Sequence, residues 1–265
     1  MVPMIEQPAE QDVASFYDWL APEYDVMTGF EKRFVHEKPF FRLLVEKHGI
    51  RTAVDAGCGT GFHSLLLAQL GVGVTAVDVS AAMVERLERH ALEKNLHIHA
   101  AVADFQSIPD LPRDPVDAVF CMGNTLAHLL SVSDLRNALL AFARVLRPGG
   151  ILFAQVLNYE LILSRRERIQ SVKEADGVTF VRSYEYGEEF VSFNILRLQR
   201  GKGGVDHALQ SVRLRPVLRE ELLPLLNEAG FDSVKTFGGI AMEEFIPGAS
   251  KDLAVLAMKR DPSGR

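Results

Sequence analysis

Between residues 50 and 157, short apolar runs alternate with helical stripes. Residues 53–55 read as the end of a buried strand. Residues 62–70 read as a helix stopped by Gly71, and 74–77 as a second strand ending at Asp78. Ser80 is placed to cap a helix over 81–93, with Met83, Val84, Leu87, Ala91 and Leu92 on one stripe. Residues 98–103 predict a third strand ending at Asp104, and 116–122 a fourth. A helix over 134–146 closes at the turn Pro148-Gly149-Gly150, and 151–156 predict a fifth strand. Strands alternating with helices imply βαβ units and a mostly parallel sheet.

The texture changes after Ser164. Residues 178–186, 189–199 and 208–216 are long, partly alternating segments, parted by Gly187 and by Gly201-Lys202-Gly203-Gly204. That pattern predicts a three-stranded antiparallel meander. A helix pattern returns over 219–229, ended by Gly230, followed by strand patterns over 231–237 and 253–258. Residues 178–216 therefore read as a β insertion within one α/β domain spanning 11–259. Residues 1–10 and 260–265 read as loose tails.

Composition narrows the function classes. A chain of 265 residues suits one large domain with an insertion. Its 29 basic and 35 acidic residues give a net charge of −6, which disfavours a nucleic-acid backbone as partner. The most apolar stretch, 65–77, is broken by Gln69, Gly71 and Gly73 and falls short of the roughly 20 residues that cross a membrane. Residues 1–10 carry two acids and no base, unlike a secretory signal. Two cysteines, Cys58 and Cys121, cannot build a disulfide framework, so a cytoplasmic setting is expected.

The candidate chemistry centres on Asp55-Ala56-Gly57-Cys58-Gly59-Thr60-Gly61, at a strand-to-helix turn. Glycines there let a ligand approach the backbone closely. A dinucleotide fingerprint, G-x-G-x-x-G, would need a third glycine at 62, which is Phe62. The spacing present favours a ligand without a pyrophosphate. Asp78, at the end of the second strand, can accept hydrogen bonds from both hydroxyls of a ribose.

These residues resemble the class I S-adenosylmethionine-dependent methyltransferases. The resemblance implies a Rossmann-like, seven-stranded, mostly parallel sheet flanked by helices, with the antiparallel insertion forming a lid. It implies S-adenosylmethionine as cofactor and S-adenosylhomocysteine as product. The glycine loop, with Asp55, Ala56, Gly57, Gly59 and Gly61, would lie under the methionine part. Asp78 would hold the ribose, and Val79 and Met83 are further cofactor-binding candidates. Asp104 would hold the adenine amine, and Phe105 would stack near adenine or join the core. Cys121 and Met122 are further cofactor-binding candidates, and Tyr24 would close the pocket from the N-terminal segment.

The stretch Gly123-Asn124-Thr125-Leu126-Ala127-His128-Leu129 is similar to the glycine/sarcosine N-methyltransferase group. Asn158-Tyr159 and Arg33, which lies 22 residues before Asp55, are further matches. In that group the arginine meets the cofactor's carboxylate, a pairing that suits guanidinium geometry. Tyr17, Asn124, His128, Asn158 and Tyr159 are the substrate-positioning candidates. The group's glycine-specific members carry an arginine immediately before the Asn-Tyr pair, where this chain has Leu157. The methyl acceptor is then larger than glycine or lacks a carboxylate. Arg165 is an alternative cation.

Other residues carry less. Cys58 and Cys121 read as loop and core positions. His97 and His99 alternate on a strand with no acid or cysteine at metal-ligand spacing, so no metal is expected. Glu220-Glu221 and Arg165-Arg166 read as solvated helix faces. The reading is a methyltransferase acting on a small molecule, with nitrogen favoured as acceptor. Transfer to oxygen or carbon, and a non-catalytic cofactor-binding protein, stay open. No nucleic acid or membrane partner is expected. Homo-oligomers stay open, since meander strands could cap the pocket or pair between subunits.

Overall fold

The computed structural model describes residues 11–201 and 204–261. Three helices lead the chain: α1 (Val13–Leu20), α2 (Tyr24–Thr28) and α3 (Phe30–His48). Asp12 caps α1 by accepting from Ser15 N–H. Gly29 and Gly49, both left-handed, end α2 and α3. The alternation follows: β1 (Thr52–Ala56), α4 (Phe62–Gln69), β2 (Gly73–Asp78), α5 (Ala81–Glu93), β3 (His99–Val102), β4 (Val116–Cys121), α6 (Val132–Val145) and β5 (Leu146–Leu157). After α7 (Tyr159–Arg165) come four strands: β6 (Ile169–Ala175), β7 (Val178–Tyr186), β8 (Val191–Gly201) and β9 (Gly204–Leu214). The chain closes with α8 (Arg219–Glu228), β10 (Phe231–Phe237) and β11 (Asp252–Lys259).

The main sheet has the order β10-β11-β5-β4-β1-β2-β3, parallel except for β11. β1 and β4 are almost wholly buried, as expected of strands covered on both faces. One face packs on α3, α4 and α5, through Phe41, Leu66 and Leu87. The other packs on α6 and α8, through Phe142 and Leu226. The strand order reverses between β1 and β4, so the loops after them part and leave a crevice at the carboxyl ends of the strands. That crevice holds the candidate site.

The second sheet, β6-β7-β8-β9, is antiparallel throughout. It has four strands where the pattern predicts three. β6 is an edge strand with Ile169 and Val172 exposed, so it lacks the buried apolar row that marks a strand in sequence. β9 starts at Gly204 rather than 208, because Gly201 already pairs with Gly204.

Two other boundaries move. Ser131 accepts from Asp134 N–H and starts α6 at Val132. Pro148-Gly149-Gly150 does not end a helix but lies in a bulge inside β5. Leu146 pairs with Val116 and Ile151 with Ala118, so residues 147–150 loop out opposite Asp117. Leu92, expected on the buried stripe of α5, is 79% exposed. One step past Ala91 swings a side chain about 100° off the buried face. The tails 1–10 and 262–265 lie outside the described residues. At Arg260 the chain is still tied, its N–H donating to Gly230 O. Among the described residues, no helix is long and apolar enough to cross a membrane.

The N-terminal helices sit against the second sheet. Phe16, Leu20 and Met27 form a separate core with Val178, Phe180, Ile195 and Val212. Lys173 Nζ donates to the carbonyls of Val26 (3.0 Å) and Met27 (2.8 Å) at the end of α2. Arg197 Nε donates to Glu23 (2.8 Å). Arg215, just past β9, donates through Nε to Leu129 O and through Nη1 to both oxygens of Glu221. Glu221 is therefore not a free solvated acid.

Candidate active site

The glycine loop is fixed by its own backbone. Gly57, Gly59 and Gly61 all have positive φ. A Cβ on Gly57 would stand 2.3 Å from Thr125 Cγ2, and one on Gly61 2.5 Å from Leu87 Cδ1. Gly57 is thus needed for close approach to the loop after β4, and Gly61 for packing on α5. Gly57 and Cys58 N–H both donate to Val77 O, tying the loop to β2. Beneath it, Asp55 accepts from Ser64 Oγ (2.6 Å), and burial raises its carboxyl above the ordinary range. Asp78 accepts from Gly59 N–H (2.8 Å) at one oxygen and Ser80 N–H (2.9 Å) at the other. Burial also raises Asp78, against these two amides.

The N-terminal segment covers the loop through two carboxylates. Asp18 accepts from Ser80 Oγ (2.6 Å) and Ala82 N–H (3.0 Å), seating α1 on the start of α5. Asp25 accepts from Thr60 Oγ1 (2.5 Å), Arg86 Nη2 (3.2 Å) and His90 Nε2 (3.2 Å). His90 Nδ1 meets Thr60 O (3.0 Å). Both ring nitrogens face acceptors, so the ring is satisfied only as imidazolium. Asp25 accordingly raises the His90 pKa above its ordinary value. Arg33 lies over the Phe62 ring at 4.2 Å.

The opposite wall is a short turn after β4. Gly123 and Asn124 are both left-handed there. Asn124 Oδ1 accepts from Leu157 N–H and its Nδ2 donates to Tyr159 Oη. Asn158 Nδ2 donates to Pro247 O and Ser250 O, and its Oδ1 caps α7. Tyr17 Oη and His128 Nε2 are 2.9 Å apart. His128 Nδ1 is buried without a partner among the described residues. Burial pushes His128 down to about 4 and Tyr17 well above its ordinary value, so both are neutral near pH 7.

Between these walls lies a cavity of about 290 Å³, near the lower end of the about 300–1,000 Å³ usual for ligand clefts. A family profile described as methyltransferase domain matches residues 53–150, the span that holds the glycine loop and its opposite wall. The glycine/sarcosine N-methyltransferase of Parasynechococcus marenigrum is 30% identical over 218 residues, which is 81% of this chain and 75% of that protein. The chain belongs to the class I S-adenosylmethionine-dependent methyltransferases. The glycine/sarcosine N-methyltransferase of Aphanothece halophytica is 28% identical over 84% of this chain and 82% of its own. An S-adenosylmethionine-dependent methyltransferase from Clostridium acetobutylicum shares the fold, with a TM-score of 0.77 at 17% identity over 92% of this chain and 99% of that one.

The methyltransferase fits its cofactor. The cavity has glycine backbone and the Asp78 carboxylate on one side. Arg33 also lines it, and neither of its Nη nitrogens has a partner among the described residues. Tyr17, Tyr24, Arg33, Gly57, Gly59 and Asp78 all line it, as do Val79, Asp104, Phe105, Met122 and His128. Asp55, Ala56, Met83 and Cys121 lie buried beneath, and Gly61 packs on α5. Asn124, Asn158 and Tyr159 lie outside the lining, hydrogen-bonded to neighbouring groups. Asp104 spends one oxygen on Ser107 N–H and Oγ. Phe105 meets Phe142 edge-on at 5.3 Å, so it serves core and cavity together.

Cys58 and Cys121 are buried, and burial raises both thiols, which leaves no thiolate nucleophile. Arg165 is exposed at the end of α7 and lies outside the cavity lining. Asp18, Asp25, Glu37 and His63 are site residues outside the sequence motifs. Two Tyr-Asp steps seven residues apart, Tyr17-Asp18 and Tyr24-Asp25, were the available signal for the first pair. Glu37, four positions after Arg33 on a helix, was the signal for the second.

Proposed function

We propose that this methyltransferase methylates the nitrogen of a small amine that carries no carboxylate handle. The observation that supports this most is that one cavity joins the glycine loop and Asp78 to the Tyr17–His128 pair. When bound, S-adenosylmethionine supplies a methyl group activated on a sulfonium. Asp78 would accept from the ribose hydroxyls, Arg33 would pair with the carboxylate, and the second oxygen of Asp104 would accept from the adenine amine. Val79, Phe105 and Met122 would supply apolar contact, and Tyr24 would close the near side.

Tyr17 and His128 then position the acceptor. A neutral imidazole beside a protonated phenol offers hydrogen bonds without adding positive charge near a sulfonium. An amine held there by its N–H keeps its lone pair for the methyl carbon. Alignment of this kind is worth about 7–11 kcal/mol in favourable cases. Asn124 and Tyr159 would act by holding the turn that carries His128, and Asn158 by tying the start of α7 to the 247–250 loop. Leu157 stands where the resemblance puts a carboxylate-gripping arginine, and its partly buried side chain packs on the main core. An apolar side chain cannot replace a bidentate cation, hence the proposed amine without a carboxylate.

A net charge of −6 supports a small molecule over nucleic acid, and two buried free cysteines suit a reducing cytoplasm. The test is transfer of labelled methyl from S-adenosylmethionine to a panel of amines, amino acids, phenols and carboxylates. Label on the nitrogen of carboxylate-free amines is the expected result. Label only on oxygen or carbon, or a preference for glycine, would overturn it.

A further inference from the structure

Arg33 has a neighbour whose geometry assigns it a task. Its Nε donates to Glu37 Oε1 at 2.8 Å, one helical turn along α3. The other oxygen of Glu37 accepts from His63 Nε2 at 3.3 Å, on α4 next to Phe62. Phe62 is the ring under the Arg33 guanidinium. Two constraints therefore act on one planar group: a ring below it and a carboxylate at its Nε edge. Together they leave the Nη edge for the cavity, where Arg33 forms part of the wall.

An arginine side chain left alone samples many rotamers, and fixing it for each ligand costs conformational entropy. Glu37 is mostly buried, and so is His63. Burial pushes the Glu37 carboxyl up, but His63 and Arg33 outweigh it and hold it below its ordinary value. It is thus a permanent anion at neutral pH. We infer that Glu37 is the positioning residue of the cofactor site. It spans Arg33 and His63 and presents the Nη edge of Arg33, already oriented, to the carboxylate of S-adenosylmethionine. His63 anchors Glu37 in turn and links this arrangement to the helix that follows the glycine loop. The inference rests on the proposed role of Arg33.

The test compares two ligands that differ at the carboxylate. S-adenosylhomocysteine carries it, while 5′-methylthioadenosine has the adenosine and sulfur without it. Both are titrated by calorimetry into wild type, Glu37→Ala, Glu37→Gln and Arg33→Ala. Glu37→Ala is expected to weaken S-adenosylhomocysteine about tenfold and leave 5′-methylthioadenosine within about twofold. Glu37→Gln keeps an acceptor oxygen for Arg33 Nε and is expected to fall between. In turnover, the variants should raise the KM for S-adenosylmethionine with kcat little changed.

Equal weakening of both ligands would make Glu37 a merely structural residue and overturn the inference. So would an unchanged profile in Glu37→Ala while Arg33→Ala weakens only the carboxylate-bearing ligand, and in that case the role of Arg33 stands. If Arg33→Ala itself shows no selective loss, the reading of Arg33 fails and the inference with it. Should Glu37→Ala not fold, Glu37→Gln carries the same comparison.

Discussion

The glycine loop and the N-terminal cover face the same cavity but hold their shapes differently. The loop is held by backbone: glycines at positive φ, amides bonded to Val77 O, and Asp78 clasped by two N–H groups. The cover is held by side chains reaching across long stretches of sequence. Its apolar side rests on the second sheet, through Phe16 and Phe180. Its polar side rests on Asp18 and Asp25. None of the described cavity-lining residues comes from β6, β7, β8 or β9. The second sheet, expected as a lid, is therefore not one that touches the cavity: it reaches the site through α1 and α2, as a support behind the cover. A backbone-built wall tolerates few substitutions at a few positions. A side-chain-built wall can fail at many positions and can loosen without unfolding.

The largest expected effect is on that support. Phe16→Ala removes a fully buried ring from the small core and should cost about 3–5 kcal/mol. Since each kcal/mol is worth roughly 2–4 °C at this chain size, calorimetry should show a melting point lower by about 10 °C. Next comes Gly57→Ala. The left-handed backbone costs about 1–2 kcal/mol, and the clash with Thr125 adds to it. S-adenosylhomocysteine affinity should drop more than the melting point does, and Thr125→Ser in the same chain should restore part of it. If Thr125→Ser restores nothing, close approach of the two loops is not what Gly57 provides.

The Asp25–His90 contact carries a pH signature. The folded-state pKa of His90 is raised above its ordinary value of about 6.5. Its contribution to stability is complete below that value and is lost as pH rises through the raised one. A series of melting curves from pH 6 to 9 should show this loss in wild type and not in His90→Asn. His128 runs the other way. Its pKa is depressed to about 4, so its contribution is present above about 6.5 and disappears as pH falls toward 4. The smallest effect is at the rim. Arg197→Ala removes a partly exposed ion pair with Glu23 and should cost about 0.2–1 kcal/mol in urea unfolding.

The same contrast explains what could be read from sequence. Ser80, Asp78 and the glycine spacing are local signals, and the structure puts Ser80 at the N-cap of α5 as the pattern predicts. The parallel strands are apolar runs because both faces are covered. The β6 edge was silent because its apolar residues face solvent. Contacts such as Lys173 with Val26 and Met27 span 147 and 146 positions, and no local periodicity encodes them. Asn124, Asn158 and Tyr159 were legible as a motif, but their hydrogen bonds to Leu157, Pro247 and Ser250 depend on the tertiary fold.

Every role proposed for these residues requires the cofactor to bind in the cavity beside Asp78. Calorimetric titration of wild type and Asp78→Ala with S-adenosylhomocysteine tests this directly. Wild type should bind one equivalent, and Asp78→Ala should bind about 10- to 100-fold more weakly, the loss expected for hydrogen bonds to a charged group. No heat of binding in wild type, or the same affinity in Asp78→Ala, would contradict it.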